Sequence, residues 1–162
     1  MRKTLENTLA AVGMALSLAL AVLFVMHLLG DEPLSDAPIE SVSRAVTEAV
    51  DLSAMQEGDN QMLRRLYGLD PSEYEGVCLY YPTTNMGAEE ILVIRLADVS
   101  QQESVAAAME KRLETQLASF AGYGVEQTHL LENAVVETEG NYVLLAVHGD
   151  AQAALAAFRA AL

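Results

Sequence analysis

The sequence predicts an α+β fold: strand–strand–helix repeated twice, giving a four-stranded, mostly antiparallel sheet with helices across one face. N-terminal helices and one transmembrane helix precede that sheet. Three observations carry this reading. An uncharged apolar run fills residues 9–29. From Tyr74 onward the chain repeats a pattern of strand, turn, strand and helix. A chain of 162 residues has room for one domain of ordinary size, not two and a linker.

The run from Leu9 to Leu29 is interrupted only by Gly13, Ser17 and His27. At 1.5 Å per residue it reaches about 30 Å, the thickness of a bilayer's hydrocarbon core. A buried core helix of that length ordinarily shows a polar stripe. Arg2 and Lys3 precede the run, and Asp31, Glu32 and Asp36 follow it. Positive charge stays inside, so residues 1–8 are expected in the cytoplasm and the rest outside. A cleaved signal peptide has a shorter apolar stretch and a small-x-small site. The stretch HLLGDEPLSDAP offers no such site, so an uncleaved signal-anchor is expected in a single-pass protein of the cell membrane. Residues 30–37 then read as a polar linker and 38–162 as the extracytoplasmic domain.

Charge narrows the partners. The chain has 9 basic and 23 acidic side chains, a net charge of −14 and a pI near 4.4. A nucleic-acid binder needs Lys and Arg gathered on one face, so nucleic acid is excluded as a partner. One cysteine rules out an internal disulfide framework and a CxxC zinc site. Cys78 lies in the apolar run Val77-Cys78-Leu79-Tyr80, where it reads as a small packed hydrophobe.

Within the domain, Pro38 suits a first helical turn capped by Asp36 or Ala37. Ile39, Val42, Val46, Ala49 and Val50 share one face of the helix that follows. Asp59 caps a second helix, with Met62, Leu63 and Leu66 as its apolar side and Gly68 as its stop. Asp70-Pro71-Ser72-Glu73 reads as one capped helical turn. The first pass is a strand at Val77–Tyr81, a loop PTTNMGAE, a strand at Ile91–Ala97, and a helix from Ser100. Ser100 and Glu103 form its expected capping box, and Val105, Met109, Leu113, Leu117 and Phe120 its apolar face. After Gly122-Tyr123-Gly124, a short helix is expected over Val125–Leu131. The second pass is Ala134–Thr138, a tight turn, Tyr142–Val147, and a helix capped by Asp150 with Leu155 and Phe158 facing inward. Strands joined by short turns pair antiparallel, and each helix needs a sheet face for its apolar stripe.

These residues carry a resemblance. LRRLYGLDPSEYEGVCLYYP, EEILVIRLAD, RLETQLASFAGYGVEQTHLLENAVVETEGNYVLLAV and AFRAAL resemble the bacterial domain-of-unknown-function family 4358, over about residues 40–162. Gln116 through Gln127, with Gly122-Tyr123-Gly124 between, and Gly140-Asn141-Tyr142 are its most specific parts. The resemblance implies a small protein with a membrane span or lipoprotein signal ahead of this domain, and it adds no mechanism.

The chemistry-bearing residues are sparse. His129 and His148 are the histidines outside the span, and no G-x-S-x-G elbow surrounds a serine. No three ligands sit at workable metal spacing, and Glu89-Glu90 and Glu137/Glu139 lack a calcium loop. No P-loop or G-x-G-x-x-G cradles a nucleotide. The sequence thus names no catalytic residue, no metal ligand and no cofactor.

Gly122-Tyr123-Gly124 admits two readings. In one, Gly122 ends the long helix and Tyr123 plugs the core. In the other, Tyr123 projects beside Gln116 and Gln127 as a shallow binding surface of one aromatic ring and two amides. The function expected overall is a membrane-tethered extracytoplasmic module, not an enzyme, that binds a protein or cell-envelope ligand. The alternative is a hydrolase-like envelope enzyme with unidentified catalytic residues. A histidine in a pocket beside a hydroxyl or carboxylate would distinguish the alternative.

Overall fold

The structure, a computed structural model, describes residues 34–162 and, ahead of them, Leu20 alone. The expected span over 9–29, Leu20 apart, and residues 30–33 lie outside the described residues. Among the described residues no helix is long and apolar enough to cross a membrane.

The elements run α1 (Ile39–Glu48), β1 (Met55–Glu57), α2 (Asn60–Tyr67), β2 (Tyr74–Pro82), β3 (Glu90–Leu96), α3 (Gln102–Phe120), α4 (Val125–Glu132), β4 (Val135–Glu139), β5 (Tyr142–Val147) and α5 (Ala151–Ala161). The strands form one antiparallel sheet in the order β1-β2-β3-β5-β4. The α+β class and both strand–strand–helix passes are therefore present.

Two expectations are corrected. The sheet has five strands, not four, because Met55–Glu57 pairs with Tyr80–Pro82 at the edge. Three residues, two of them polar, give no period-2 signal, and the pairing comes from the partner strand. The helices also cover both faces rather than one. β3 and β5 are buried along nearly their whole lengths. Their continuous apolar runs are what strands buried on two sides require.

Alternation divides those runs between two cores. Leu92, Ile94, Leu96, Val143 and Leu145 face one way, against Leu63 of α2, Val105 and Met109 of α3, Phe120, and Leu131 of α4. Ile91, Val93, Leu144 and Ala146 face the other way, against Val42 and Val46 of α1 and Ala154 and Phe158 of α5. The Tyr142 and Phe158 rings meet edge to face at 6.3 Å. Each such large side chain contributes about 1.5–3 kcal/mol by leaving water. Leu113 and Leu117, expected in the core, are half-buried at its margin.

Side-chain caps hold fewer boundaries than expected: Pro38 itself, not Asp36 or Ala37, precedes α1 without a side-chain bond, and Asp150 precedes α5 without capping it. The Asp59 carboxylate accepts the Met62 N–H at 2.8 Å, and Gly68 ends α2 with φ +71°. Ahead of α3 the cap differs from expectation. Asp98 and Gln101, not Ser100 and Glu103, form a reciprocal capping box around a single 3₁₀ turn, Val99–Gln101. Asp98 lies two residues earlier and brings a full carboxylate to the free N–H groups.

The start of the domain is stitched to its end. Asn141 accepts the Ser35 N–H at 2.9 Å and donates to the Ser35 carbonyl at 3.2 Å. The Ser35 hydroxyl donates to the Leu162 carbonyl, and the Tyr142 hydroxyl to the Ala37 carbonyl. Residues 35–37, expected as linker, thus belong to the domain. This is also the work done by Asn141-Tyr142 in the motif singled out above.

Candidate functional site

At one end of the sheet α2, the β2–β3 loop and α3 enclose a cleft of about 280 Å³. α2 contributes Met62, Arg65 and Leu66, and the loop Thr84, Asn85 and Gly87. α3 and its C-terminal turn contribute Arg112, Gln116, Ser119, Phe120 and Tyr123. Positions 112, 116, 119, 120 and 123 recur at helical spacing, which puts them on one side of α3 and its end. The loop is drawn close at Gly87, where a Cβ would stand 2.9 Å from the Pro82 ring.

The Gly-Tyr-Gly turn resolves residue by residue. Gly122 has φ +88°, the left-handed region that other residues avoid. Gly124 is needed for space, since a Cβ there would lie 2.6 Å from the Phe120 ring. Phe120, 2% exposed, is the core plug. Tyr123 is 61% exposed, its ring 5.9 Å from that of Phe120. The reading of Tyr123 as a core plug is thereby set aside.

Of the three residues expected to share a surface, Gln116 and Tyr123 line the cleft and Gln127 does not. Gln127 sits on α4 with its Oε1 over Gly124, where an added Cβ would approach it to 3.1 Å. The left-handed Gly122 turns the chain, so α4 leaves the face that α3 presents.

Arg112 ties the cleft lining to a buried charged network that sequence reading missed. Glu90, 1% exposed, receives Arg112 through Nη2 at 2.9 Å and Nε at 3.2 Å. The Tyr67 hydroxyl donates to its Oε1. Burial, and then the charge of Glu90, push the Tyr67 phenol well above its ordinary value, so it stays protonated and a donor. The sequence signals were present but small. They were a charged residue opening an apolar strand at Glu90-Ile91, and two basic pairs, Arg64-Arg65 and Lys111-Arg112, in an acidic chain.

Neither histidine reaches the cleft. The Asp150 N–H donates to His148 Nδ1 at 2.9 Å, which leaves the proton on Nε2, 3.2 Å from the Asp51 carbonyl. His129 is exposed on α4, and its carbonyl accepts from the Asn133 side chain. Cys78 is half-buried in β2, where burial pushes its thiol up, away from reactivity. Among the described residues no group of three or more His, Cys, Asp and Glu side chains could hold a metal ion.

Comparison of the chain with curated proteins and with solved structures finds no match. A family model does match, over residues 48–148, which takes in α2, the β2–β3 loop, α3 and every strand. The chain belongs to the family described as Domain of unknown function (DUF4358).

Proposed function

We propose that this protein is a membrane-tethered extracytoplasmic binding module, and that the cleft between α2, the β2–β3 loop and α3 receives its ligand. The observation that carries this reading is the lining. An exposed Tyr123 stands beside Gln116 and Arg112 over a volume that suits a compact group. At about 280 Å³ the cleft falls just under the usual range of small-ligand sites, about 300 Å³ upward, so it suits a compact group: a very small molecule or one side group of a larger partner. An aromatic face next to amide and guanidinium donors is the usual make-up of a recognition surface. The tether is residues 9–29, with residues 1–8 cytoplasmic and the ligand a protein or cell-envelope component outside. That topology rests on the uncharged run and the basic-then-acidic flanks. The hydrolase-like alternative gains no support from the geometry, since neither His129 nor His148 lies in the cleft.

The test compares Tyr123→Phe with Tyr123→Ala for stability and for capture of partners by crosslinking in native membranes. An exposed recognition ring predicts that both variants fold like the parent and that Ala loses capture. Capture retained by Tyr123→Ala would overturn the role of the cleft. Protease added to intact protoplasts should digest residues 38–162, and protection of the domain would overturn the orientation.

A further inference from the structure

The domain is acidic, yet its positive charge is gathered. Residues 34–162 hold seven Lys and Arg against 20 Asp and Glu. Four of the seven, Arg64, Arg65, Lys111 and Arg112, line a second hollow of about 240 Å³ where α2 faces α3. It adjoins the cleft, and Arg65, Leu66 and Arg112 line both.

Two of these cations are neutralised within the domain. Arg64 pairs with Asp70 and Arg112 with Glu90, each at 2.9 Å. Arg65 and Lys111 make no ion pair with a described residue. Like charges on facing helix turns repel, and a bound anion relieves that repulsion. Arg112 is also fixed in advance. Glu90 takes its Nε and Nη2, Tyr67 holds Glu90, and Nη1 makes no hydrogen bond with a described residue. A guanidinium already locked in place loses little freedom when an anion arrives.

We infer that the cleft is an oxyanion site. Arg65 and Arg112 receive a carboxylate or phosphate group of the ligand, and the Tyr123 ring packs against whatever carries it. Lys111, in the adjoining hollow, raises the local potential without lining the cleft. The acidic charge of the rest of the domain repels long polyanions, so the ligand is a compact anion. This inference rests on the reading of the cleft as a ligand site and gives that ligand its chemical class.

The test uses the full ¹⁵N-labelled chain in maltoside micelles, titrated separately with inorganic phosphate and with acetate. The expected result is a saturable shift of the Gln116 and Tyr123 amides with at least one of them. Arg65→Gln should weaken that binding by about tenfold, the loss of one charge-assisted contact, with the thermal midpoint unchanged. The tighter anion identifies the group, phosphate or carboxylate. No saturable shift with either anion, the same shifts with sodium chloride at equal ionic strength, or Arg65→Gln titrating like the parent would each overturn the inference. If the anions fail while Tyr123→Ala still abolishes capture, only the chemical class falls. Retained capture in Tyr123→Ala removes the cleft reading itself.

Discussion

Replacing Arg112 with methionine strands a carboxylate where water cannot reach it. Glu90 is 1% exposed, and its contacts are the guanidinium of Arg112 and the hydroxyl of Tyr67. With the guanidinium gone, one hydroxyl faces a full buried charge. Breaking one side of such a pair costs about 3–5 kcal/mol, most of it the desolvated charge left behind. The Arg112 side chain is itself mostly buried, and Met fills a similar volume, so lost packing adds little. Single domains hold only about 5–15 kcal/mol of net stability, so the change is large. With a urea slope of about 2 kcal/mol per molar, the midpoint should fall by about 2 M. The companion variant is the double replacement Glu90→Leu with Arg112→Met. Removing both charges together should recover most of the loss, because an apolar pair can match a buried ion pair. Equilibrium urea unfolding of the parent, the single and the double variants reads both numbers. A single-variant loss below about 1 kcal/mol, at the level of an exposed ion pair, would refute the reasoning. So would a double variant as unstable as the single one.

Other consequences follow from the same geometry. Tyr67 has a raised phenol pKa, so the stability it contributes is complete below the unfolded value of about 10 and is lost as pH rises toward its folded value. Alkaline unfolding should therefore begin above about pH 10, and Tyr67→Phe should flatten that limb while costing about 1.5–3 kcal/mol at neutral pH. Asn141→Ala removes both bonds to Ser35 and should cost about 1–2 kcal/mol. Hydrogen exchange should then quicken at Ser35 and Ala37 and stay slow in β3. At Gly76 an added Cβ would meet Ile39 at 2.6 Å, so Gly76→Ala should cost about 1–3 kcal/mol by overpacking. Ile39→Ala in the same chain should return part of that, measured by thermal unfolding.

How much of this was legible in the sequence depended on how local the cause was. The α2 boundaries follow from Asp59 and Gly68 alone, because a cap and a left-handed stop act within one turn. β5 was readable to the residue, its apolar run ending where Gly140-Asn141 and His148-Gly149 punctuate it. β1 was invisible because Met55-Gln56-Glu57 becomes a strand only when Tyr80–Pro82 lies beside it. The covering of both faces was written in the unbroken runs of β3 and β5, but a continuous run does not say which helix goes where. Gln116 and Tyr123, which line the cleft, were singled out through the glycines around the ring. The Glu90–Arg112 pair was not, since 22 residues separate its members and only the fold joins them. Gln127 was placed on the wrong side because its direction hangs on a single dihedral at Gly122.

The strand that closes the middle of the sheet is made late. β5 lies between β3 and β4, and β4 has no other strand neighbour. A growing chain that has reached Glu139 holds the β1–β2–β3 ladder with one edge bare and β4 with nothing to join. Its α1 still lacks α5, and Ser35 lacks Asn141. Pairings that span so much sequence close slowly, because their loop entropy is lost before any contact repays it. Until β5 is in place, one edge of β3 stays open, and a bare strand edge is the part of a nascent chain most prone to pair with the wrong neighbour. The stretch from Tyr142 to Leu162 therefore decides the fate of all that precedes it, and a truncation just before β5 should leave an aggregating chain, not a smaller folded one.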